Sequence, residues 1–119
     1  MRILLADDQP KVCSALRLLL SQQPGIEVVG ETAEADTLLA NVENTDPDLI
    51  LLDWELPGLS RNGGFSALRA RYPNLKVIAL SGRPEARGIA LKAGADAFVS
   101  KVEPPEHLLG ALSSFNAAM

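Results

Sequence analysis

The sequence predicts an α/β domain in which one parallel sheet is covered by helices on both faces. Five short apolar runs alternate along the chain with segments of helical periodicity, and four of the runs contain no polar residue. Strands of that kind are typical of sheets buried on both faces. Five successive βα units favour a doubly wound sheet, and 119 residues suit one core. We therefore predict a single domain over residues 1–119.

The five apolar runs predict strands at residues 3–6, 26–29, 49–52, 77–80 and 97–99. Proline and glycine mark the boundaries between these strands and the helices. Pro10 suits a first helical turn, Pro24, Pro47 and Pro73 each follow a predicted helix, and Gly94 occupies a helix C-cap position. These boundaries agree with the alternation of strand and helix.

Helices are predicted where apolar residues recur three and four positions apart. Each stripe predicts the face of a helix that packs on the sheet. The stripes in chain order are Val12, Ala15, Leu16 and Leu19; Ala35, Leu38, Leu39 and Val42; Phe65, Leu68 and Tyr72; Ala86, Ile89, Ala90 and Ala93; and Leu108, Leu112 and Phe115.

Composition and charge argue against several classes of function. The net charge is −4 and the basic residues stand singly, so direct contact with nucleic acid is not expected. The single cysteine, Cys13, cannot form an internal disulfide and is expected to be a small buried apolar residue. No apolar run approaches the length of a membrane span, and the first one is too short for a signal peptide. We expect a cytoplasmic protein.

Polar side chains follow four of the five predicted strands. Asp7 and Asp8 follow the first strand, Asp53 the third, Ser81 the fourth and Lys101 the fifth. With right-handed crossovers and the flavodoxin-like strand order 2-1-3-4-5, these four strands are neighbours. We therefore expect the five side chains to meet at the carboxyl edge of the sheet.

Three carboxylates in one crevice repel one another and need a compensating cation. Mg²⁺ prefers oxygen ligands and is the usual ion where a phosphate is also bound. We predict that Asp8 and Asp53 bind it directly, that Asp7 binds it directly or through water, and that the main-chain carbonyl of Glu55 adds a ligand.

Asp53 is the predicted nucleophile, because a carboxylate needs no deprotonation at neutral pH. Its attack on phosphorus would form an acyl phosphate. The Lys101 ammonium would meet the charge of the phosphoryl oxygens, and the Ser81 hydroxyl would hydrogen-bond one of them.

Each of these residues also has a purely structural interpretation. Asp7, Asp8 or Ser81 suits the cap of the helix that follows it, and a lone lysine such as Lys101 is usually solvated. Asp53 is harder to explain in this way, because it closes an apolar run where a carboxylate needs a partner. The joint arrangement at four strand ends is what favours a functional site.

These motifs resemble the receiver domain of bacterial two-component response regulators over essentially the whole chain. The matching segments are LLADD at 4–8, PDLILLD at 47–53, LPG at 56–58, VIALS at 77–81 and GADAFVSK at 94–101. The separations of 28 residues from Asp53 to Ser81 and 20 from Ser81 to Lys101 also agree with that family. The segment 101–109 is most similar to receivers of the LuxR/FixJ type.

The resemblance implies a phosphorylation-activated switch rather than an enzyme. A sensor histidine kinase or phosphotransfer protein would donate the phosphoryl group to Asp53, and slow self-catalysed hydrolysis would follow. Ser81 would move toward the phosphoryl group and Phe98 would turn inward, which would remodel the surface of helix 4, strand 5 and helix 5. For Phe98 a plain core aromatic stays the alternative.

Receivers of this type usually precede a helix-turn-helix domain, so the implied output is transcription through an attached DNA-binding domain. Phosphorylation-dependent pairing of two copies, through helices 1 and 5 or helices 4 and 5, stays open.

Two features depart from the family pattern. The loop at residues 58–63 is a few residues longer than usual, and its glycine, serine and asparagine content predicts flexibility beside the pocket. Glu55 stands where the family often has an apolar residue. We expect its carboxylate to reach the metal or a metal-bound water, and so to alter Mg²⁺ affinity and phosphoryl-transfer rates.

Three other functions fit the sequence less well. A protein-interaction module of the same fold that works without phosphorylation typically lacks the acceptor, the acidic pair or the lysine, all of which are present here. A phosphatase of the haloacid-dehalogenase type needs a second aspartate where this chain has Glu55, and a cap domain for which there is no length. A flavin or nucleotide binder needs a glycine-rich turn where residues 7–10 read DDQP.

Overall fold

The computed structural model describes residues 1–60 and 64–117 and contains a five-stranded parallel sheet. The strand order is β2-β1-β3-β4-β5, which confirms the predicted fold class. The strands are β1 (Arg2–Ala6), β2 (Glu27–Thr32), β3 (Leu49–Asp53), β4 (Lys76–Ser81) and β5 (Ala97–Ser100).

Five α-helices connect and follow these strands, and a 3₁₀ turn at Ala35–Thr37 precedes the second. The helices are α1 (Pro10–Ser21), α2 (Leu38–Thr45), α3 (Gly64–Arg71), α4 (Ala86–Ala93) and α5 (Pro105–Ala117). Gly94 has φ 117° and closes α4, as its position predicted, because a left-handed conformation at a C-cap favours glycine. Within residues 1–60 and 64–117, every helix is too short or too polar to span a bilayer.

The sheet separates two layers of core, because successive side chains of a strand point to opposite faces. On one face Leu4, Ile50 and Val77 pack beneath α2, α3 and α4. On the other face Ile3 and Leu51 pack beneath α1 and α5. These strand residues are at most 1% exposed, so the central strands are buried on both faces as predicted.

The second strand lies further along the chain than the apolar run at 26–29 indicated. Its pairing with β1 continues through Gly30, Glu31 and Thr32, which lie opposite Leu4, Leu5 and Ala6. Because β2 is an edge strand, polar residues within it can remain in contact with water. The end of the apolar run therefore did not mark the end of the strand.

The helical stripes lie on the observed α-helices except for Ala35, which is in the 3₁₀ turn, and Tyr72, which follows α3. They also include residues that are not buried. Ala15, Leu39, Ile89 and Ala93 are exposed, and Ile89 is 65% exposed. In α4 the small residues Ala86 and Ala90 are the buried ones, and the neighbouring Ile89 lies off that face.

Cys13 is buried in α1, as predicted for a small apolar residue. Burial raises the pKa of its thiol to about 11, with a smaller contribution from the negative charge of Glu31. The thiol is therefore uncharged at neutral pH and behaves as part of the core.

Candidate functional site

The carboxyl ends of β1, β3, β4 and β5 lie side by side at one edge of the sheet. Backbone hydrogen bonds continue past the strand ends and fix the first residues of the loops. Trp54 N–H donates to the Leu80 carbonyl at 2.7 Å, and Lys101 N–H donates to the Ser81 carbonyl at 2.8 Å. Residues far apart in the sequence are thereby held at the same edge.

Three aspartates converge there, as the strand order predicted. Asp7, Asp8 and Asp53 each offer one carboxylate oxygen, and these three atoms lie within 4.8 Å of one another. Asp7 and Asp53 are buried, whereas Asp8 is exposed. Oxygen donors at this spacing fit a hard divalent cation such as Mg²⁺.

Lys101 lies between the two buried carboxylates. Its Nζ is 2.7 Å from Asp7 Oδ2 and 3.4 Å from Asp53 Oδ1, and it donates a hydrogen bond to Gln9 Oε1 at 3.3 Å. Burial disfavours the charged ammonium, but the two carboxylates outweigh it and the pKa of Lys101 is raised. Lys101 is therefore not the solvated lysine of the structural interpretation. Its single positive charge faces three negative groups.

Both carboxylate oxygens of Asp7 have partners on neighbouring residues. Oδ1 accepts the Gln9 N–H at 2.9 Å. Oδ2 is buried and forms an ion pair with Lys101 Nζ at 2.7 Å. Because Lys101 also contacts Asp53, its one positive charge is shared by two buried carboxylates, and the negative charge left over fits a cation ligand. Neither Asp7 nor Asp8 caps α1, whose N-cap residue Gln9 makes no side-chain cap hydrogen bond.

Asp53 closes β3 and is 3% exposed. Burial raises the pKa of its carboxyl above the ordinary value of 3.8, while the Glu55 N–H and Lys101 partly oppose that rise. Oδ1 accepts the Glu55 N–H at 3.0 Å. No described residue donates to Oδ2, so this oxygen is the one left for a ligand or an electrophile.

Ser81 is fully buried, and its hydroxyl is occupied by Glu55. Oγ donates to the Glu55 carboxylate, with Oε1 at 2.8 Å and Oε2 at 2.9 Å, and it accepts the Arg83 N–H at 3.0 Å. Arg83 also pairs with Glu55 Oε2 at 3.5 Å. Ser81 does not cap α4, which begins at Ala86 after an N-cap residue without a side-chain cap hydrogen bond.

This Glu55–Ser81 contact is the feature of the site that sequence reasoning missed. The side chain of Glu55 was expected to reach the metal or a metal-bound water, and its effect on the metal stays a prediction. In this structure its carboxylate contacts Ser81 and Arg83. Strand pairing could have indicated it. Asp53 lies opposite Leu80, so the residues just beyond them leave the same edge together.

Two further predictions concern Phe98 and the longer loop at residues 58–63. Phe98 is 7% exposed and packs in the core, so its ring lies inward in this structure, and its role in switching stays a prediction. In the longer loop at 58–63, Leu59 is buried against the core. Residues 61–63 lie outside the residues that the structure describes, so the flexibility predicted for that part of the loop stays a prediction.

Fold and pocket together define a class of protein: a doubly wound α/β domain with an acidic pocket and one lysine at the switch point of its sheet. The chain belongs to the response regulator receiver domain family, whose model matches residues 3–113. This confirms the resemblance read from the motifs. Members of that family are signalling proteins rather than a class of enzymes.

Curated relatives agree with this assignment. The chain is 38% identical over 112 residues to the nitrate/nitrite response regulator protein NarL of Escherichia coli K12. It is 34% identical over 111 residues to the uncharacterized transcriptional regulatory protein YhcZ of Bacillus subtilis. Each match covers 92% of this chain and 52% of the relative, so the chain spans about half the length of these relatives.

Solved structures show the same fold. A LuxR family two-component response regulator from Aurantimonas sp. superposes with a TM-score of 0.88 at 29% identity, covering 98% of this chain and 85% of that one. The isolated REC domain of RcsB from Salmonella enterica serovar Typhimurium, in the presence of the phosphomimetic BeF₃⁻, gives a TM-score of 0.87 at 26% identity, covering 98% and 88%. The chain is therefore a receiver domain of the LuxR-family type.

Proposed function

We propose that residues 1–119 form a phosphorylation-activated switch in which Asp53 accepts a phosphoryl group in the presence of Mg²⁺. One observation carries this proposal. The buried Asp53 carboxylate, to one oxygen of which no residue of 1–60 or 64–117 donates, lies beside an ammonium and two further aspartates. A charge arrangement of this kind is disfavoured until a cation and an anionic ligand complete it.

The cation would be held by Asp7, Asp8 and Asp53, and the Glu55 main-chain carbonyl stays a predicted additional ligand. The three carboxylate oxygens within 4.8 Å of one another, with one ammonium between the two buried aspartates, support this assignment. When bound, Mg²⁺ would neutralise negative charge on the pocket and on the transferred phosphoryl oxygens.

Asp53 Oδ2 is the oxygen suited to attack phosphorus, since Oδ1 already accepts the Glu55 N–H. As its bond to phosphorus forms, the bond from phosphorus to the donor's leaving atom breaks, and the leaving group takes the electron pair. Lys101, 3.4 Å from Asp53 Oδ1, is placed to stabilise charge on the phosphoryl oxygens. Ser81 would donate its hydroxyl hydrogen to one of those oxygens.

We further propose that a sensor histidine kinase or a phosphotransfer protein is the physiological donor, and that the protein acts in the cytoplasm. Relatives are described as transcriptional regulators, and RcsB has been solved bound to promoter DNA. By analogy, an attached DNA-binding domain would deliver the output, while this domain, with its net charge of −4, would make no DNA contact itself. Phosphorylation would act through the α4–β5–α5 surface and Phe98, and would favour pairing of two copies.

The proposal is tested by titration. Trp54, the only tryptophan, is half-buried beside Asp53, with its ring 5.3 Å from that of Phe65. Its fluorescence should change with Mg²⁺ and again when beryllofluoride, a phosphoryl mimic, is added. Asp53→Asn should abolish the second change, and Asp36→Asn, which removes an exposed carboxylate elsewhere, should keep both. No beryllofluoride response in the parent would favour the phosphorylation-independent interaction module.

A further inference from the structure

The hydroxyl of Ser81 has one hydrogen, and Glu55 holds it. Ser81 Oγ is 2.8 and 2.9 Å from the two Glu55 carboxylate oxygens, and its accepting side is taken by the Arg83 N–H at 3.0 Å. Ser81 is 0% exposed, so water does not compete for that hydrogen. A hydrogen bond from a buried hydroxyl to a carboxylate is among the stronger ones in proteins.

We propose that Glu55 is a positioning residue that holds the Ser81 hydroxyl away from Asp53. A phosphoryl group on Asp53 would displace the Glu55 carboxylate from that hydroxyl. This inference rests on the proposed function, because it takes Ser81 as a donor to the phosphoryl group. A hydroxyl can donate only one hydrogen, so the carboxylate and the phosphoryl oxygens compete for it. Glu55 therefore acts as an internal anion that occupies Ser81 in the unphosphorylated state.

The surroundings of Glu55 allow its carboxylate either to accept from Ser81 or to turn outward and stay paired with Arg83. Its side chain is 37% exposed and can turn outward. The main chain of Ser81 is paired with Ser100 at the end of β4, so only the Ser81 side chain has to turn toward a phosphoryl group. The Arg83 guanidinium lies 3.5 Å from Glu55 and is 64% exposed, so it can remain the partner of the carboxylate at the rim. Displacement then costs the Ser81 hydrogen bond but does not leave a buried, unpaired charge.

The test compares the parent with Glu55→Gln, Glu55→Met and the matched control Glu85→Gln. Glu85 is an exposed glutamate just beyond Arg83, and its substitution removes the same charge from the neighbouring loop between β4 and α4. Trp54 fluorescence gives an apparent Kd for Mg²⁺ alone and for beryllofluoride at saturating Mg²⁺. We expect beryllofluoride to bind about threefold more tightly to Glu55→Gln and about tenfold more tightly to Glu55→Met. Mg²⁺ affinity should change less than about twofold, since a Ser81 contact is not a metal contact.

Variants of Ser81 show whether the effect of Glu55 on beryllofluoride affinity depends on the Ser81 hydroxyl. In Ser81→Ala the hydroxyl is absent, so Glu55→Met should no longer tighten beryllofluoride binding. In Ser81→Thr the hydroxyl is kept, and the tightening should return. An undiminished effect in Ser81→Ala would mean that Glu55 acts through its charge alone, and would overturn the inference.

The remaining outcomes separate this inference from the proposed function. Equal beryllofluoride affinity in the parent and Glu55→Met overturns the inference and leaves the proposed function standing. Weaker Mg²⁺ binding in Glu55→Met assigns Glu55 to the metal and also overturns it. A parent that binds no beryllofluoride overturns both. Thermal unfolding of each variant verifies that it is folded, and Glu55→Gln, which keeps the size of the side chain, serves if Glu55→Met does not fold.

Discussion

At each end of the strands a cation is paired with aspartate. The two clusters of charged residues differ in their ratio of positive to negative groups. At the amino edge, Arg69 donates to Asp96 Oδ2 at 2.9 Å and to the carbonyls of Leu75 and Gly94 at 2.6 and 2.9 Å. The same Asp96 oxygen accepts the Val77 N–H at 2.8 Å. One cation faces one carboxylate, and the hydrogen bonds join α3 to the starts of β4 and β5.

At the carboxyl edge, one ammonium faces three carboxylates. Lys101 contacts Asp7 and Asp53, so its one positive charge is shared by two buried carboxylates, and Asp8 adds a third negative charge nearby. Buried polar clusters stabilise a fold when every member is satisfied, and they cost stability when one is not. The balanced cluster therefore stabilises the fold, whereas the excess of negative charge in the other cluster fits the cation site proposed above.

The largest expected effect is on the balanced cluster. Arg69→Ala should lower the free energy of unfolding by about 2–3 kcal/mol, because it removes the cation paired with Asp96 and the donor to several carbonyls. Urea denaturation of the folded domain measures this change. Arg71→Ala, on the same helix, removes an exposed arginine whose nearest carboxylate is 3.8 Å away on Glu43, and it should have no measurable effect.

Arg69→Ala should leave the apparent Kd for beryllofluoride unchanged, because Arg69 lies at the opposite edge from Asp53. A large change in that Kd, or equal stabilities of Arg69→Ala and Arg71→Ala, would contradict the division into a structural edge and a functional edge.

The second effect has the opposite sign. Without divalent cations, Asp53→Asn should raise the free energy of unfolding at neutral pH by about 0.5–2 kcal/mol, since functional sites are commonly held at such a cost. The pKa of Asp53 is raised by burial, so folding favours its protonated form. The stability it contributes is therefore present below the ordinary value of 3.8 and is lost as the pH rises through the folded pKa.

The parent and Asp53→Asn should accordingly converge in stability as the pH falls below that ordinary value. Denaturation of both proteins across the acidic range measures the difference. A variant that is less stable than the parent at neutral pH would show that Lys101 needs the Asp53 charge more than burial opposes it.

The sequence predicted the positions of the site residues because backbone topology places them. Asp7, Asp53 and Lys101 each follow a strand, and the parallel order brings those strand ends together whatever the side chains do. Asp53 was identified most directly, since a carboxylate after four apolar residues has no ordinary reason to be buried.

The direction of the Glu55 side chain and the burial of individual helix residues could not be predicted in the same way. Glu55 bonds to Ser81 rather than joining the aspartates, and that choice depends on Arg83 and on a neighbouring strand. Ile89 matched the helical period yet is exposed, because small alanines form the face of α4 that packs on the core. Periodicity reports which residues are apolar, whereas packing decides which of them the sheet covers.

The smallest expected effect on stability separates the members of the unbalanced edge. Asp8 is exposed, so its charge is already solvated, and Asp8→Asn without metal should change the free energy of unfolding by less than about 0.5 kcal/mol. Mg²⁺ at tenfold excess over its Kd should stabilise the parent by about 1.4 kcal/mol, and a tenfold weaker Kd reduces this to about 0.4 kcal/mol. We expect that reduction in Asp8→Asn but not in Asp36→Asn, measured by thermal unfolding with and without Mg²⁺. Equal stabilisation of both variants by Mg²⁺ would show that Asp8 is not a metal ligand. The excess negative charge at this edge would then come from the two buried aspartates that Lys101 already contacts.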